Sequence, residues 1–224
     1  MAAYWLERGA NANSMDSQTG RSVLQTAIAK GWKSLAQLLI EKGADCRRTP
    51  LLHQLAGEVN SDWSAVAEML LIGGASIDGV DGSGLTPLHV ASQYNAVWLV
   101  KLLIRNGVNV EAANERGQRP IHLAVAHHQV VRLLIESGAD WRSTDEVGRT
   151  ALHEAAIENW PLTARLLIHY GARVRNVDRY GKSALDYARK LHYGKLIHTE
   201  MARISLFESE FSQSSDSTDS DYSN

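Results

Sequence analysis

The octet "GLTPLHVA", residues 84–91, places Thr-Pro directly before Leu-His, with a glycine two residues upstream of the threonine. Local physics explains the order. Thr86 suits a helix N-cap, its hydroxyl accepting from a free amide of the first turn. Pro87 suits the first helical position, where its missing N–H is not needed and its fixed φ is already helical. Leu88, Val90 and Ala91 give the new helix an apolar side to bury. The octet is a turn running into a helix start.

The octet recurs. "GRTALHEAA" (148–156) is nearly the same, and "GQRPIHLAV" (117–125), "GRSVLQTAI" (20–28), "GKSALDYAR" (181–189) and "TPLLHQLA" (49–56) are weaker copies. The Thr-like position falls at 22, 49, 86, 119, 150 and 183, at intervals of 27, 37, 33, 31 and 33. A second motif alternates with it: "LLIEKGAD" (38–45), "LLIGGAS" (70–76), "LLIRNGVN" (102–109), "LLIESGAD" (133–140) and "LLIHYGAR" (166–173). Two motifs alternating at one period define a repeat array.

Within residues 84–116 the order is turn, helix, short loop, helix, glycine and extended connection. The first helix is expected near 87–94. The second, "AVWLVKLLIRNG" (96–107), sets Val97, Val100, Leu103 and Ile104 on one face, with Gly107 as its left-handed stop. Helices this short are marginal alone in water, so each unit must bury its faces on the next. The pattern resembles the ankyrin repeat, paired antiparallel helices with a β-turn finger, over roughly residues 2–200. The resemblance rests on Thr86-Pro87-Leu88-His89-Val90-Ala91, on Thr150-Ala151-Leu152-His153-Glu154-Ala155, and on the recurring Leu-Leu-Ile before Gly-Ala. It implies an all-α solenoid of stacked helix pairs with short β-turn fingers.

The expected organisation is an array over 1–207, with a partial repeat at 1–16 and units starting near 17, 46, 81, 114, 145 and 178. The first residues align with a second helix, so the array is expected either to extend further or to have its open side covered; if covered, a monomer is expected. "KLIHTEMARISLF" (195–207) reads as the closing cap. The finger before residue 50 looks cut away, and "GEVNSDW" (57–63) enlarges a helix–helix loop. In the 117–147 unit the same loop is two residues short, and Arg119 stands where a Thr cap belongs, so a weak link is expected there.

Charge separates the body from the end of the chain. Net charge is −2, but residues 208–224, "ESEFSQSSDSTDSDYSN", hold five acids, seven serines and no Lys or Arg, leaving 1–207 near +3. Such a composition is expected to be disordered. Thr218, with Asp221 three residues on, is a candidate phosphorylation site. No run of eighteen apolar residues suggests a membrane span, "MAAYWLERG" is unlike a signal peptide, and Cys46 has no partner for a disulfide. A cytoplasmic or nuclear protein is expected.

Chemistry is hard to find. The nine histidines include His89, His122 and His153 at the motif position and His53 beside it; the resemblance implies that these bond within the turn and to the next unit. His127-His128 is expected to be exposed and makes a poor chelate, and no Cys/His ligand pattern accompanies it. "GSG" (82–84) lacks the Lys-Ser/Thr of a phosphate loop. No nucleophile elbow is present, and Cys46 has no evident base. The reading is no catalytic residue, no metal and no cofactor.

Six tryptophans are a notable number. Trp32, Trp63 and Trp160 share one register at the start of second helices; they are expected to pack between units, with an aromatic strip for a partner as the alternative reading, and Trp5 and Trp141 fit structural slots. Trp98 is the expected surface aromatic. By resemblance, the binding surface is a groove of finger tips and exposed first-helix faces. Its candidates are Arg21, Lys30, Leu85, Gln93, Tyr94, Glu115, Arg116, Gln118, Glu146, Arg149, Ile157, Glu158, Arg179, Tyr180 and Lys182, with Trp98 added. Their signs are mixed, so a protein partner fits and nucleic acid does not. The leading expectation is a non-enzymatic protein-interaction module. The alternatives are a substrate-recruiting part of a larger enzyme or receptor, and a regulator resembling the inhibitor-of-κB group by its acidic end.

Overall fold

The computed structural model describes residues 2–47, 50–57, 61–190, 199 and 201. Thr49, most of the expected cap at 195–207, and the whole acidic segment with Thr218 lie outside the described residues. The chain divides into two compact units, one ending at Ala139 and the other starting at Asp140.

Short helices alternate with turns throughout the described residues. The first unit holds α1 (Ala2–Glu7), α2 (Val23–Ala29), α3 (Lys33–Glu41), α4 (Leu51–Leu55), α5 (Ser64–Ile72), α6 (Pro87–Gln93), α7 (Val97–Arg105), α8 (Pro120–Leu123) and α9 (His128–Glu136). The second holds α10 (Ala151–Ile157), α11 (Pro161–His169) and α12 (Ala184–Lys190). In the first unit α2, α4, α6 and α8 pack in succession, and α1, α3, α5, α7 and α9 form a second row behind them. In the second unit α10 packs on both α11 and α12. Among the described residues, β pairing is limited to the isolated antiparallel bridges Met15–Ser22 and Val177–Ser183. The class is all-α.

The repeated letters have repeated duties. Leu24, Leu88, Ile121 and Leu152 follow the cap positions and are almost wholly buried, as are Leu39, Leu70, Leu103, Leu134 and Leu167 of the second helices. Each such side chain contributes on the order of 1.5–3 kcal/mol when taken out of water. Ala27, Ala91, Ala124 and Ala155 sit five residues after each cap with no exposure, which lets the paired helices approach closely. The buried face of α7 is wider than the periodicity suggests. Leu99, Val100, Leu102 and Leu103 are buried, while Val97 and Ile104 are half-buried. The reason is that α7 packs on α5, α6 and α9 at once.

Thr86 caps α6 as expected, accepting from the His89 amide. Arg119 offers no side-chain cap to α8, which is only four residues long. Its amide donates to His122 Nδ1 at 3.1 Å instead, and its Nε pairs with Glu111 Oε2 at 2.8 Å.

Three tryptophans depart from expectation. Trp63 is buried, but Trp32 is 53% and Trp160 39% exposed. A 3-10 turn at Ser61–Trp63 folds the first ring inward. The other two rings begin helices directly after a single left-handed residue, Gly31 or Asn159, and stay on the rim. Trp98 is half-buried on α7 and is not the leading surface aromatic; Tyr94 at 58% and Tyr180 at 68% are far more exposed. His127 is half-buried rather than exposed, its Nε2 bonding the Gln93 carbonyl at 3.1 Å, while His128 is exposed.

Candidate functional site

The fingers are built by one residue each. In Asp81-Gly82-Ser83-Gly84, Asp81 Oδ1 accepts the amides of Ser83 at 2.8 Å and Leu85 at 3.0 Å, and its own amide donates to the Leu85 carbonyl. Asn114 does the same for Arg116 and Gln118, Asp145 for Val147 and Arg149, and Asp178 for Tyr180 and Lys182. The short acceptor turns the chain back, and the two residues after it become the tip. Each finger closes on a glycine with positive φ. At Gly84 (φ +72°) a Cβ would also meet Glu115 Cγ at 2.9 Å, so the next finger approaches too closely for a side chain. These acceptors were not among the expected residues, although Asp/Asn-x-x-Gly marks each of the four in the sequence.

Three histidines tie the chain at a finger to the helix pair before it. His89 Nδ1 accepts from the Thr86 amide at 3.2 Å, which leaves its proton on Nε2 to donate to the Gln118 carbonyl at 2.9 Å. His153 repeats this with Thr150 and the Asn176 carbonyl, and His53 Nε2 reaches the Leu85 carbonyl at 2.8 Å. Burial pushes all three imidazoles below their usual pKa, against the opposing pull of those carbonyls. They are structural.

In the first unit a cleft of about 380 Å³ opens between the fingers at 81–84 and 114–117 and the helices α6 and α8. It brings together five expected site residues, Leu85, Gln93, Glu115, Arg116 and Gln118, with Leu123, Asn114, Gly82 and Ser83 completing the wall. Leu85 and Leu123 provide apolar surface. Glu115 and Arg116 at the tip provide both signs, and the amide of Gln93 can donate and accept. Tyr94 is exposed at the end of α6 but does not line the cleft; nor do Arg21, Lys30 or Trp98.

The second unit sorts its candidates differently. Glu146, Arg179, Tyr180 and Lys182 are exposed on two fingers joined by a bond from the Arg179 amide to the Val147 carbonyl at 2.9 Å. Arg149 is not a surface anchor. Its Nε lies 3.5 Å from Asp178 Oδ2, its Nη1 3.6 Å from Glu154 Oε1, and its Nη2 donates to the Tyr187 hydroxyl at 3.2 Å. Glu158 is exposed but accepts from Trp160 Nε1 at 2.9 Å. Ile157 is half-buried.

Among the described residues, no group of His, Cys, Asp and Glu could hold a metal ion, and no helix is long and apolar enough to cross a membrane. Among the described residues, Gln93, Tyr94, Glu115, Arg116, Glu146, Arg179, Tyr180 and Lys182 of the fingers and first helices are exposed.

Comparison with known proteins agrees with this geometry. The family model "Ankyrin repeats (3 copies)" matches residues 52–145 and 126–204. The chain is 34% identical over 155 residues to the nuclear factor NF-kappa-B p105 subunit of Gallus gallus, covering 67% of this chain and 13% of that protein. It is 37% identical over 94 residues to the E3 ubiquitin-protein ligase KEG of Arabidopsis thaliana, covering 41% of this chain and 6% of that one. It is 36% identical over 111 residues to the human neurogenic locus notch homolog protein 1, covering 48% and 4%. The chain therefore spans only a small part of the length of these relatives. With its capped first helices, its histidine ties and its Asp/Asn-built fingers, the chain belongs to the ankyrin-repeat family, whose repeats are protein-interaction modules.

Proposed function

We propose that this chain is a non-enzymatic module that grips a segment of a partner protein in the cleft between the fingers at 81–84 and 114–117. The observation that carries the reading is the convergence of Gln93, Glu115, Arg116 and Gln118 around an apolar wall in one cleft of about 380 Å³. Paired charges at the rim favour a polypeptide of mixed charge over a polyanion. Tyr94 beside the cleft offers a rigid aromatic of the kind enriched at interface hot spots. The finger residues Glu146, Arg179, Tyr180 and Lys182, with Arg21 and Lys30, form further contact surface. A cytoplasmic or nuclear location goes with this reading, and the relative named as a nuclear factor supports it.

The test places a photo-crosslinking residue at Arg116, identifies the captured protein, and measures its affinity for purified variants. Arg116→Glu with Tyr94→Ala should weaken binding at least about tenfold, the size of one lost anchor. Ile72→Ser, on a second helix and 87% exposed, should leave it unchanged. Equal affinity for all three chains would reject the cleft.

A second reading draws on the length of the relatives. A matching segment occupies 6% of a ubiquitin ligase, so the same module can present substrates to a catalytic part. Ubiquitin transfer to the captured partner in the native complex, absent from the Arg116→Glu form, would favour it.

A further inference from the structure

We propose that the acidic segment 208–224 docks on the basic finger Arg179–Lys182 of its own chain, so that an outside partner must displace it. The inference does not depend on the cleft of the first unit. It starts from a charge imbalance. Residues 173–190 carry six basic and two acidic side chains, and residues 208–224 carry five acids and no base.

The two acids of the basic stretch are already engaged. Asp178 has no side-chain exposure; its Oδ1 takes the amides of Tyr180 and Lys182, and its Oδ2 takes the Tyr187 hydroxyl at 2.7 Å. Asp186 takes the Ser183 hydroxyl and amide and lies 3.9 Å from Arg189. Arg179 and Lys182 are exposed, and among the described residues neither forms an ion pair within 4 Å. The tip is therefore positive toward solvent, with the 68% exposed ring of Tyr180 between the two cations.

The other fingers differ. The tip at 82–83 is uncharged, that at 115–116 is balanced, and that at 146–147 is acidic. The finger at Asp16–Gly20 carries the uncharged tip Ser17-Gln18-Thr19, so among the described fingers the one starting at Asp178 complements the acidic segment, and it is also the nearest to it in the chain. Met201 is helical and buried, so the connection to the acidic segment is residues 202–207, which span at most about 3.3–3.6 Å each. Tethering raises the local concentration of the segment to the order of millimolar, so contacts that are individually weak suffice. A contact made of exposed ion pairs must also be salt-sensitive.

The experiment uses the full chain, isotopically labelled, with a spin label at Asn224→Cys; Cys46 is buried and stays unlabelled. At low salt, about 20 mM, the amide signals of Arg179–Lys182 should lose at least half their intensity, and about 500 mM should restore them as the screening length shrinks to a few ångströms. Two variants should restore them at low salt. One is Asp216→Asn/Asp219→Asn/Asp221→Asn, which leaves the folded units untouched. The other is Arg179→Glu/Lys182→Glu, which retains the finger because both residues serve it through backbone groups. Signal loss that is absent, indifferent to salt, strongest at Arg116 and Gln93, or dependent on protein concentration would overturn the proposal.

Discussion

Tyr187 donates its phenolic hydrogen to Asp178 Oδ2 at 2.7 Å and so ties the last described finger to α12. The same hydroxyl accepts from Arg149 Nη2, and the Arg149 guanidinium lies 5.3 Å from the centre of the Tyr187 ring. Burial pushes the Asp178 carboxyl up, but the donors Tyr187, Lys182, Tyr180 and Arg149 together bring it below the ordinary value. One hydroxyl thus serves a buried carboxylate that also organises the finger amides.

Replacing Tyr187 by Phe keeps the ring and removes that donor. A hydrogen bond to a buried charged group is worth about 1.5–3 kcal/mol, and urea unfolding of the second unit should show a loss of that order. The loss should depend on pH. A carboxyl whose folded pKa lies below its unfolded one stabilises above the unfolded value, and that contribution fades as pH falls through the folded value. The Tyr187→Phe chain should therefore lose its remaining Asp178 contribution at a higher pH than the parent. Identical acid titrations of the two proteins would contradict the assignment.

The buried histidines act in the opposite chemical sense. His53, His89 and His153 are held neutral, with pKa values below the ordinary 6.5, first because burial disfavours the cation. Unfolding restores the ordinary value and takes up protons. Stability is then complete above about pH 6.5 and falls as the solution is acidified from there toward the folded values. Each histidine adds up to about 1.4 kcal/mol per pH unit within its window. Chemical unfolding between pH 7.5 and 5 should show the decline, and His89→Gln should make it shallower. A flat profile would mean that the imidazoles titrate freely in the fold.

Sequence made the helix pairs visible because they rest on local rules: a hydroxyl before a proline, alanine five residues after a cap, glycine after Leu-Leu-Ile. The Asp/Asn finger acceptors are equally local, and the spacing Asp/Asn-x-x-Gly carries them in the sequence. Arg149 was different. As a charged residue beside a finger it looked like its neighbours, and nothing nearby announces a partner 38 residues away in Tyr187. Trp32 and Trp63 share a register, yet one is exposed and the other buried, because their outcome depends on whether a 3-10 turn precedes the helix. Long-range partners and loop geometry set the site, and neither follows from periodicity.

The missing cap at Arg119 can be restored. Arg119→Thr supplies the hydroxyl found at Thr86 and Thr150, worth about 1 kcal/mol, and gives up the pair with Glu111. That pair is about one-third exposed on the carboxylate side, so its loss costs about 0.2–1 kcal/mol. The substitution should raise stability by a few tenths of a kcal/mol or more. Glu111→Ala separates the two effects. It should cost the parent chain more stability than it costs the Arg119→Thr chain, and the difference reads out the pair. A drop in melting temperature for Arg119→Thr would mean that the ion pair outweighs the cap.

Arg149 and Arg179 test the difference between folding and recognition. Both are arginines of the second unit, and both were candidate contact residues. Arg149→Glu puts a carboxylate against Glu154 and the fully buried Asp178 side chain. Breaking such a pair while adding like charge should cost about 3 kcal/mol, with the quarter of the guanidinium that reaches water already discounted. Arg179→Glu changes an exposed tip held by its backbone amide, and surface changes of that kind stay within about 0.5 kcal/mol. Arg149→Lys should recover only part of the loss, because an ammonium cannot reproduce the planar fork that meets Tyr187, Asp178 and Glu154. Thermal unfolding of the three variants decides the matter. If Arg149→Glu melts with the parent, its contacts contribute nothing to the fold, and any effect of Arg149 on partner binding can be read as direct.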